Sequence, residues 1–476
     1  MRARRAPALA ALAGAGLAVA GRLPFWNAPL TADEGGYGQI GRLWARSHVL
    51  YDDAWVDRPQ GLILVFRAIV HLGGGSPEAM RALAAAVAVA VVLATMLLTL
   101  GVAGRIAASM AALAMGAAGA SPYIEAFTLS GELLASLPAV LSLVAFVAYP
   151  RTGRLHWLAL AGVLTGCAVM VKQSAFDAGL AALLFLVWTQ RRRGIRASAV
   201  LASCAAAPVA IGAASAVRFG DWWYAVVAYR GEGDSLLTEG FAHRLSLLAS
   251  SLPAAAKGLG LLALLAAFGW RRAPLLVRLW LVAAVLGVLG GGNFHAHYYL
   301  QLVPPLSVLA GIGAARIVAS RQRVPAVASA ATALATIALT APLWFADSTA
   351  QAKAVWPRDP HLVSDEAVAG VVRAATRADE EILVLWGAAN QYYLADRSPA
   401  VKYMWRRNIE TIPGALEEVR RAIAERRPAL VIQAQPLAAV DRSGATRRLL
   451  RRNYRLFRVV RGVPLYAPRG SSGRSP

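Results

Sequence analysis

The chain has 476 residues, 57% of them hydrophobic and 16% charged, with a formal net charge of +23. A mean hydropathy of +0.50 excludes an ordinary soluble domain and indicates an α-helical polytopic membrane protein. The basic excess lies in short Arg clusters between apolar runs, so it reports membrane topology and contact with anionic lipid rather than nucleic-acid binding.

Met1 to Arg5 is basic and precedes an apolar run from about Ala6 to Leu23, just long enough to span. Ala18-Val-Ala20 before Gly21 also suits a signal peptidase. An uncleaved anchor is the preferred reading, because the acidic loop that follows needs tethering. That loop opens with Thr31-Ala-Asp-Glu-Gly-Gly-Tyr37 and closes with Asp57-Arg-Pro-Gln-Gly61. Charge next to an apolar segment costs several kcal/mol unless it faces water or a partner. Asp33, Glu34, Asp57 and Arg58 therefore mark a candidate site for a charged, lipid-linked substrate. A plainer account also fits: Thr31 and Glu34 have capping-box spacing, and Asp33 in the first turn suits the helix dipole. Tyr37, Ile40, Gly41 and Trp44 would then line one face of an interfacial helix, with Arg42 and Arg46 toward water.

Further apolar runs lie near 80–101, 106–121, 132–149, 157–172, 176–189, 198–217, 246–269, 279–292, 299–315 and 326–345, giving about eleven spans in all. Lys257 falls inside one of them and puts its boundaries in question. Cys167 and Cys204 lie within apolar runs and read as small core residues. Alternate loops carry Arg105, Arg151 with Arg154, Arg191 to Arg193 with Arg196, Arg271 with Arg272 and Arg278, and Arg316, Arg321 and Arg323. The positive-inside rule makes these cytoplasmic. The opposite, extracytoplasmic face then collects Asp33 to Arg58, Glu125 to Glu132, Lys172, Asp221 to Arg244, and His295 to Tyr299.

Composition changes after about Asp347. Glu366 to Thr376 and Ala415 to Arg426 have helical character, while Ile382 to Leu385, Ala429 to Gln433 and Tyr454 to Val460 read as strands. The expected domains are a membrane domain over 1–345 with its first outer loop at 25–79, a small extracytoplasmic α/β domain over 346–469, and a disordered tail over 470–476.

The Asp33-Glu34 pair, the Asp57-Arg58-Pro59 element, His297-Tyr-Tyr-Leu-Gln-Leu-Val-Pro-Pro305, and Trp386-Gly387 with Tyr393, Arg397 and Pro399 together resemble the GT-C glycosyltransferases. These use polyprenyl-phosphate sugars, and the resemblance is especially to the protein O-mannosyltransferases and the lipid A aminoarabinose transferase. Two positions depart from the pattern. Gly35 and Gly36 stand where many relatives place a basic residue, and Arg58-Pro59-Gln60 stands where relatives often carry Lys-Pro-Pro.

The resemblance implies transfer of a sugar from a polyprenyl-phosphate donor to a hydroxyl of a lipid, glycan or protein, with inversion, at the plasma membrane. It assigns Asp33 as base, with Glu34 beside it as the second acid of the catalytic pair. Glu34 and Asp57 would position sugar hydroxyls or orient neighbouring cations. Arg58 is the first candidate to hold the phosphate, followed by Lys172 and His297. Tyr37, Glu132 and Tyr298 complete the expected substrate site. No cofactor is expected; some relatives hold a divalent ion near the acids, but His295 and His297 alone do not specify one. Plainer accounts remain: Lys172 as a snorkelling lysine, His297 as an interface residue, Asp57 as a local partner of Arg58, and Glu132 as a helix-start acid. Trp222, Trp223 and Tyr224 read as an aromatic belt, or with Arg230, Glu232 and Asp234 as part of an acceptor loop. A lipid transporter or flippase, and a noncatalytic envelope scaffold, are the competing functions.

Overall fold

The computed structural model describes residues 2–232, 240–320 and 323–470. Asp234, Arg321 and 471–476 lie outside the described residues, as do the side chains of Glu232 and of Arg191 to Arg193.

The membrane part is built from α1 (Arg2–Ala20), α2 (Ala32–Ala45), α3 (Gln60–Leu72), α4 (Pro77–Ala118), α5 (Gly131–Thr152), α6 (Leu155–Val171) and α7 (Asp177–Ser215). It continues with α8 (Phe241–Trp270), α9 (Leu275–Gly291), α10 (Val303–Ser320) and α11 (Arg323–Trp344). Among the described residues, 7 helices are long and apolar enough to cross a membrane, and four shorter apolar helices stand beside them. All the apolar runs fall on helices. Two pairs of runs are joined: 80–101 and 106–121 form α4, broken where Gly104 takes φ 83°, and 176–189 and 198–217 form α7. Lys257 lies within α8, its ammonium 5.2 Å from the Tyr123 ring centroid.

Without a hydrophobic force between helices in lipid, close approach through small residues supplies the packing. A Cβ on Gly116 would collide with the backbone of Gly14, and one on Gly313 with the backbone of Leu265, so α1 meets α4 and α8 meets α10 at near-backbone contact. Arg22, just past α1, is buried and donates to the carbonyls of Ala18, Gly119 and Ala126. This satisfies the orphan carbonyls at two chain reversals.

The C-terminal domain is a five-stranded sheet in the order β2-β1-β3-β5-β4. Its strands are β1 (Glu381–Leu385), β2 (Ser398–Pro399), β3 (Leu430–Gln433), β4 (Tyr454–Val460) and β5 (Val463–Pro468). β1 runs parallel to β2 and β3, and β5 is antiparallel to β3 and β4. Helices α12 (Asp365–Ala375), α13 (Asn390–Ala395) and α14 (Arg406–Thr411) cover it beside the membrane part. β2 and β5 escape a reading based on periodicity. One has two residues, and the other is interrupted by prolines.

The position of α2 corrects the sequence reading. It does not lie open at an interface but is clamped between α3 and the C-terminal domain. Gln39 Nε2 donates to the Arg397 carbonyl at 3.2 Å, and Asn390 Nδ2 to the Leu30 carbonyl at 3.0 Å. Arg42, expected toward water, is instead largely buried. It pairs with Asp396 at 3.0 Å and its guanidinium carbon sits 4.2 Å from the Tyr393 ring centroid. The glycines make this fit. A Cβ on Gly35 would strike Asn390, and one on Gly36 the Trp405 ring. The departures Gly35 and Gly36 are therefore the flat surface on which the C-terminal domain sits.

Candidate functional site

A cavity of about 430 Å³ opens where the α2 N-terminus, the loops around Asp57, Glu125 to Glu132, Lys172 and His295 to Tyr298 meet the C-terminal domain. All nine residues singled out from the sequence, Asp33, Glu34, Tyr37, Asp57, Arg58, Glu132, Lys172, His297 and Tyr298, line it.

Asp33 and Glu34 are adjacent but differently employed. The Thr31 hydroxyl accepts the Glu34 N–H at 3.1 Å, and the Glu34 carboxylate accepts the Thr31 N–H at 3.3 Å, closing the capping box. The same carboxylate, 1% exposed, forms an ion pair with buried Arg81 and accepts the Leu129 N–H at 2.9 Å. Arg81 in turn donates to the Ala28 and Pro29 carbonyls at 3.2 Å. Glu34 thus ties α2, α4 and the 121–130 loop together, and its lone pairs are committed to protein donors. Asp33, one residue earlier, turns to the cavity and accepts the Trp405 indole N–H at 3.1 Å.

The other acids face protein cations. Asp57 is shared by Arg58 at 2.6 Å and Arg230 at 2.5 Å. Glu132 pairs with Lys172 and lies 3.8 Å from His297 Nε2, while Glu125 meets His297 Nδ1 at 3.1 Å. Lys172 Nζ also sits 4.2 Å from the Tyr298 ring centroid, so it does not snorkel away. His295 stacks on His297 with centroids 5.5 Å apart. Among the described residues Asp33 alone of these five acids has no ion pair within 4.0 Å.

Burial acts to raise the Asp33 carboxyl, but the charges of Arg58, His297 and His295 and the Tyr37 hydroxyl outweigh it and hold the group below the ordinary carboxylate range. For Arg58, burial opposes the charge while Asp57, Tyr37 and Asp33 support it, and the guanidinium is held above its usual value. Burial likewise lifts the Tyr37 phenol well above its usual value. At neutral pH the site presents an ionised Asp33, a neutral Tyr37 and a charged Arg58.

The aromatic segment corrects another expectation. Trp222 is buried and donates to Gln60 Oε1 at 2.8 Å, and Gln60 also accepts from Tyr51 at 3.0 Å. Trp222 therefore locks α3 to the 219–232 segment and takes no place in a belt, whereas Trp223 is exposed.

Sequence reasoning gave the C-terminal domain no site residues, yet it forms one wall of the cavity through Trp356, Asp359, His361, Trp405, Arg406 and Asn408. His361 Nδ1 lies 2.8 Å from Asp365, which also accepts from Asn390 at 2.7 Å and Gln391 at 2.6 Å. Burial disfavours the His361 cation, but Asp365 and Asp359 outweigh it and raise the imidazole above its ordinary value. The only sequence signal was the four-residue step from His361 to Asp365 at a helix start.

No three His, Cys, Asp or Glu side chains among the described residues converge on a metal position. Glu125, Glu132 and Asp57 are turned to basic partners.

No protein-family model matches the sequence, and no curated protein sequence matches it. Solved structures do. ArnT from Cupriavidus metallidurans bound to undecaprenyl phosphate is 14% identical, with TM-score 0.63, covering 98% of this chain and 99% of that one. The oligosaccharyltransferase of Archaeoglobus fulgidus tethered to an acceptor peptide is 15% identical, with TM-score 0.56, covering 94% of this chain and 72% of that one. Another structure of that archaeal protein, AglB, holds an inhibitory peptide and a dolichol-phosphate, at 14% identity and TM-score 0.54. At these identities the likeness is one of architecture, and the chain shares the fold of these structures, here a bundle of apolar helices with a small C-terminal sheet domain seated over it.

Proposed function

We propose that this chain is a membrane glycosyltransferase that moves a sugar from a polyprenyl-phosphate donor to a hydroxyl acceptor, with inversion, on the extracytoplasmic face. The observation that carries the reading is the isolation of Asp33. Among the described residues it is an ionised carboxylate without an ion pair, in a cavity whose remaining membrane-side acids are matched by basic groups. The lipid phosphates held by structures of the same fold support it as well.

In the proposed reaction the acceptor oxygen attacks the anomeric carbon opposite the phosphate. Its C–O bond forms as the bond from the anomeric carbon to the phosphate oxygen breaks, and Asp33 takes the acceptor proton. Arg58, Lys172 and His297 stabilise the charge that grows on the departing polyprenyl phosphate. Arg58 can present a planar, two-pronged face to the phosphate where relatives use a lysine, and Asp57 aims it. Glu132 does the same for Lys172. Trp405 orients Asp33, and Glu34 fixes the helix start that carries it.

The test is transfer from a panel of radiolabelled polyprenyl-phosphate sugars by protein in nanodiscs. Asp33→Asn should lower turnover by about 10²–10⁴-fold and leave binding of undecaprenyl phosphate and the melting temperature unchanged. Wild-type protein that moves labelled lipid across the bilayer, with no transfer and equally in the variant, would replace this reading with a flippase.

A further inference from the structure

The C-terminal domain carries a second cavity, of about 320 Å³, that shares no lining residue with the transfer cavity. It lies among helix α15 (Ala445–Asn453), strands β4 and β5, and the end of β3. Arg447 and Arg451 from α15, Arg455 from β4 and Arg469 just past β5 line it, and no acid does. None of the four has an ion pair within 4.0 Å among the described residues. Elsewhere in the same domain Arg420 pairs with Asp441 at 3.0 Å and Arg426 with Glu381 at 3.1 Å. A helix dipole favours cations in the last turn, which accounts for Arg451, but it opposes Arg447 in the first. Like charges four residues apart on a helix also repel. Local helix chemistry therefore does not account for the set, whereas an anion standing among the guanidinium groups does. Gln433 Oε1 accepts the Tyr466 hydroxyl at 3.0 Å, which leaves the Gln433 amide nitrogen as a further donor in the lining.

We propose that Arg447, Arg451, Arg455 and Arg469 bind the phosphate of a soluble phosphate monoester. Guanidinium N–H groups meet phosphate oxygens in pairs. A phosphate monoester carries a charge of about −1.5 to −2 at neutral pH and three acceptor oxygens, so it engages several guanidinium groups at once. A carboxylate, with one charge, engages fewer, and an uncharged sugar leaves all four cations unmatched. Leu456, 57% exposed, gives the same cavity an apolar rim for the carbon skeleton that bears the phosphate. The ligand comes from water rather than from the bilayer. Leu437, Leu450 and Tyr454 in the lining belong with Val431 to the core on one face of the sheet. Ile432 and Leu465, on the other face, belong to the core shared with the membrane helices. The cavity thus lies on the sheet face that the membrane helices do not share. The site uses none of the residues of the transfer reaction and does not depend on that reading.

The experiment is calorimetric titration of glucose 6-phosphate into the full-length protein in nanodiscs of zwitterionic lipid, with glucuronate and glucose as comparisons. Glucose 6-phosphate should bind, glucuronate more weakly, and glucose not at all. Its Kd should weaken roughly tenfold or more in the double variant Arg447→Gln with Arg455→Gln. Both positions are exposed, so the melting temperature should not move. Arg58→Gln, which alters only the transfer cavity, should leave the Kd unchanged. So should Arg448→Gln, an exposed position of the same helix outside the lining. The site is overturned if glucose 6-phosphate does not bind, or if its binding survives the double variant and is lost in Arg58→Gln. An equal loss in Arg448→Gln would reduce it to diffuse surface charge and overturn it as well. Displacement of glucose 6-phosphate by vesicles of phosphatidylcholine with phosphatidylglycerol would overturn the aqueous source. The titration needs no turnover, so a flippase outcome in the transfer assay leaves it readable.

Discussion

On the membrane side of the cavity every acid but Asp33 is matched by a basic group. On the soluble-domain side Trp356 and Asn408 keep polar atoms without partners among the described residues. The difference follows from surroundings. Beside lipid an uncompensated charge is costly, so Arg58 and Lys172, the cations proposed to meet the donor phosphate, stand against Asp57 and Glu132. A buried neutral N–H or carbonyl without a partner costs less, about 1–3 kcal/mol. The membrane wall thus pairs its charges, while the soluble-domain wall tolerates unpaired neutral groups.

The largest effect should come from breaking the pairing on the membrane wall. Arg81→Met leaves Glu34 buried and unpaired, at a cost of about 3–5 kcal/mol. It should appear as a large drop in thermal stability, partly recovered in the double variant with Glu34→Gln. Gly36→Ala attacks the joint between the walls. The helix gains roughly 1 kcal/mol from alanine, but the new Cβ runs into the Trp405 ring, and overpacking of this kind costs about 1–3 kcal/mol. Trp405 should swing off Asp33, with turnover falling more than stability; Trp405→Phe in the same chain should recover the stability and not the rate.

Lys172→Met removes one charge-assisted contact to a phosphate, worth about 1.5–3 kcal/mol. Undecaprenyl phosphate should bind roughly 10–100-fold more weakly by equilibrium titration. The smallest effect is on pH. Asp33 is lowered in the fold, so it works as a base above its folded pKa, and the stability its interactions give is lost as pH falls through that value. The acid limb of the rate should lie below the ordinary carboxylate range. Arg58→Gln should move it to higher pH in a kcat profile; a stationary limb would assign the titration to another group.

Much of this was legible from the chain. Apolar runs, alternate Arg clusters and the acidic first loop placed the helices and collected the polar residues that share the cavity, because the cost of charge in lipid leaves few arrangements open. Asp33 and Glu34 show the limit. Both accounts of the pair were available in sequence, and the structure separates the two members: Glu34 closes the capping box and binds Arg81, while Asp33 lines the cavity without an ion pair among the described residues. Local spacing could not show which, since Arg81 lies 47 residues from Glu34. The soluble-domain wall was illegible for the same reason. Trp356, His361 and Asn408 reach the cavity only through the docking of the C-terminal domain, and no periodicity records that.

The bond from Trp405 to Asp33 joins residues 372 positions apart. During synthesis the loop bearing Asp33 emerges among the first segments and its partner among the last, and domains generally fold as the chain appears. Until the sheet domain docks on the glycine face of α2, Asp33 lacks its orienting indole and the cavity lacks a wall. A nascent or truncated chain already inserted in the bilayer would therefore carry the cations of the membrane wall without the complete cavity. Docking of the C-terminal domain is therefore the step that completes the cavity and gives Asp33 its orienting indole.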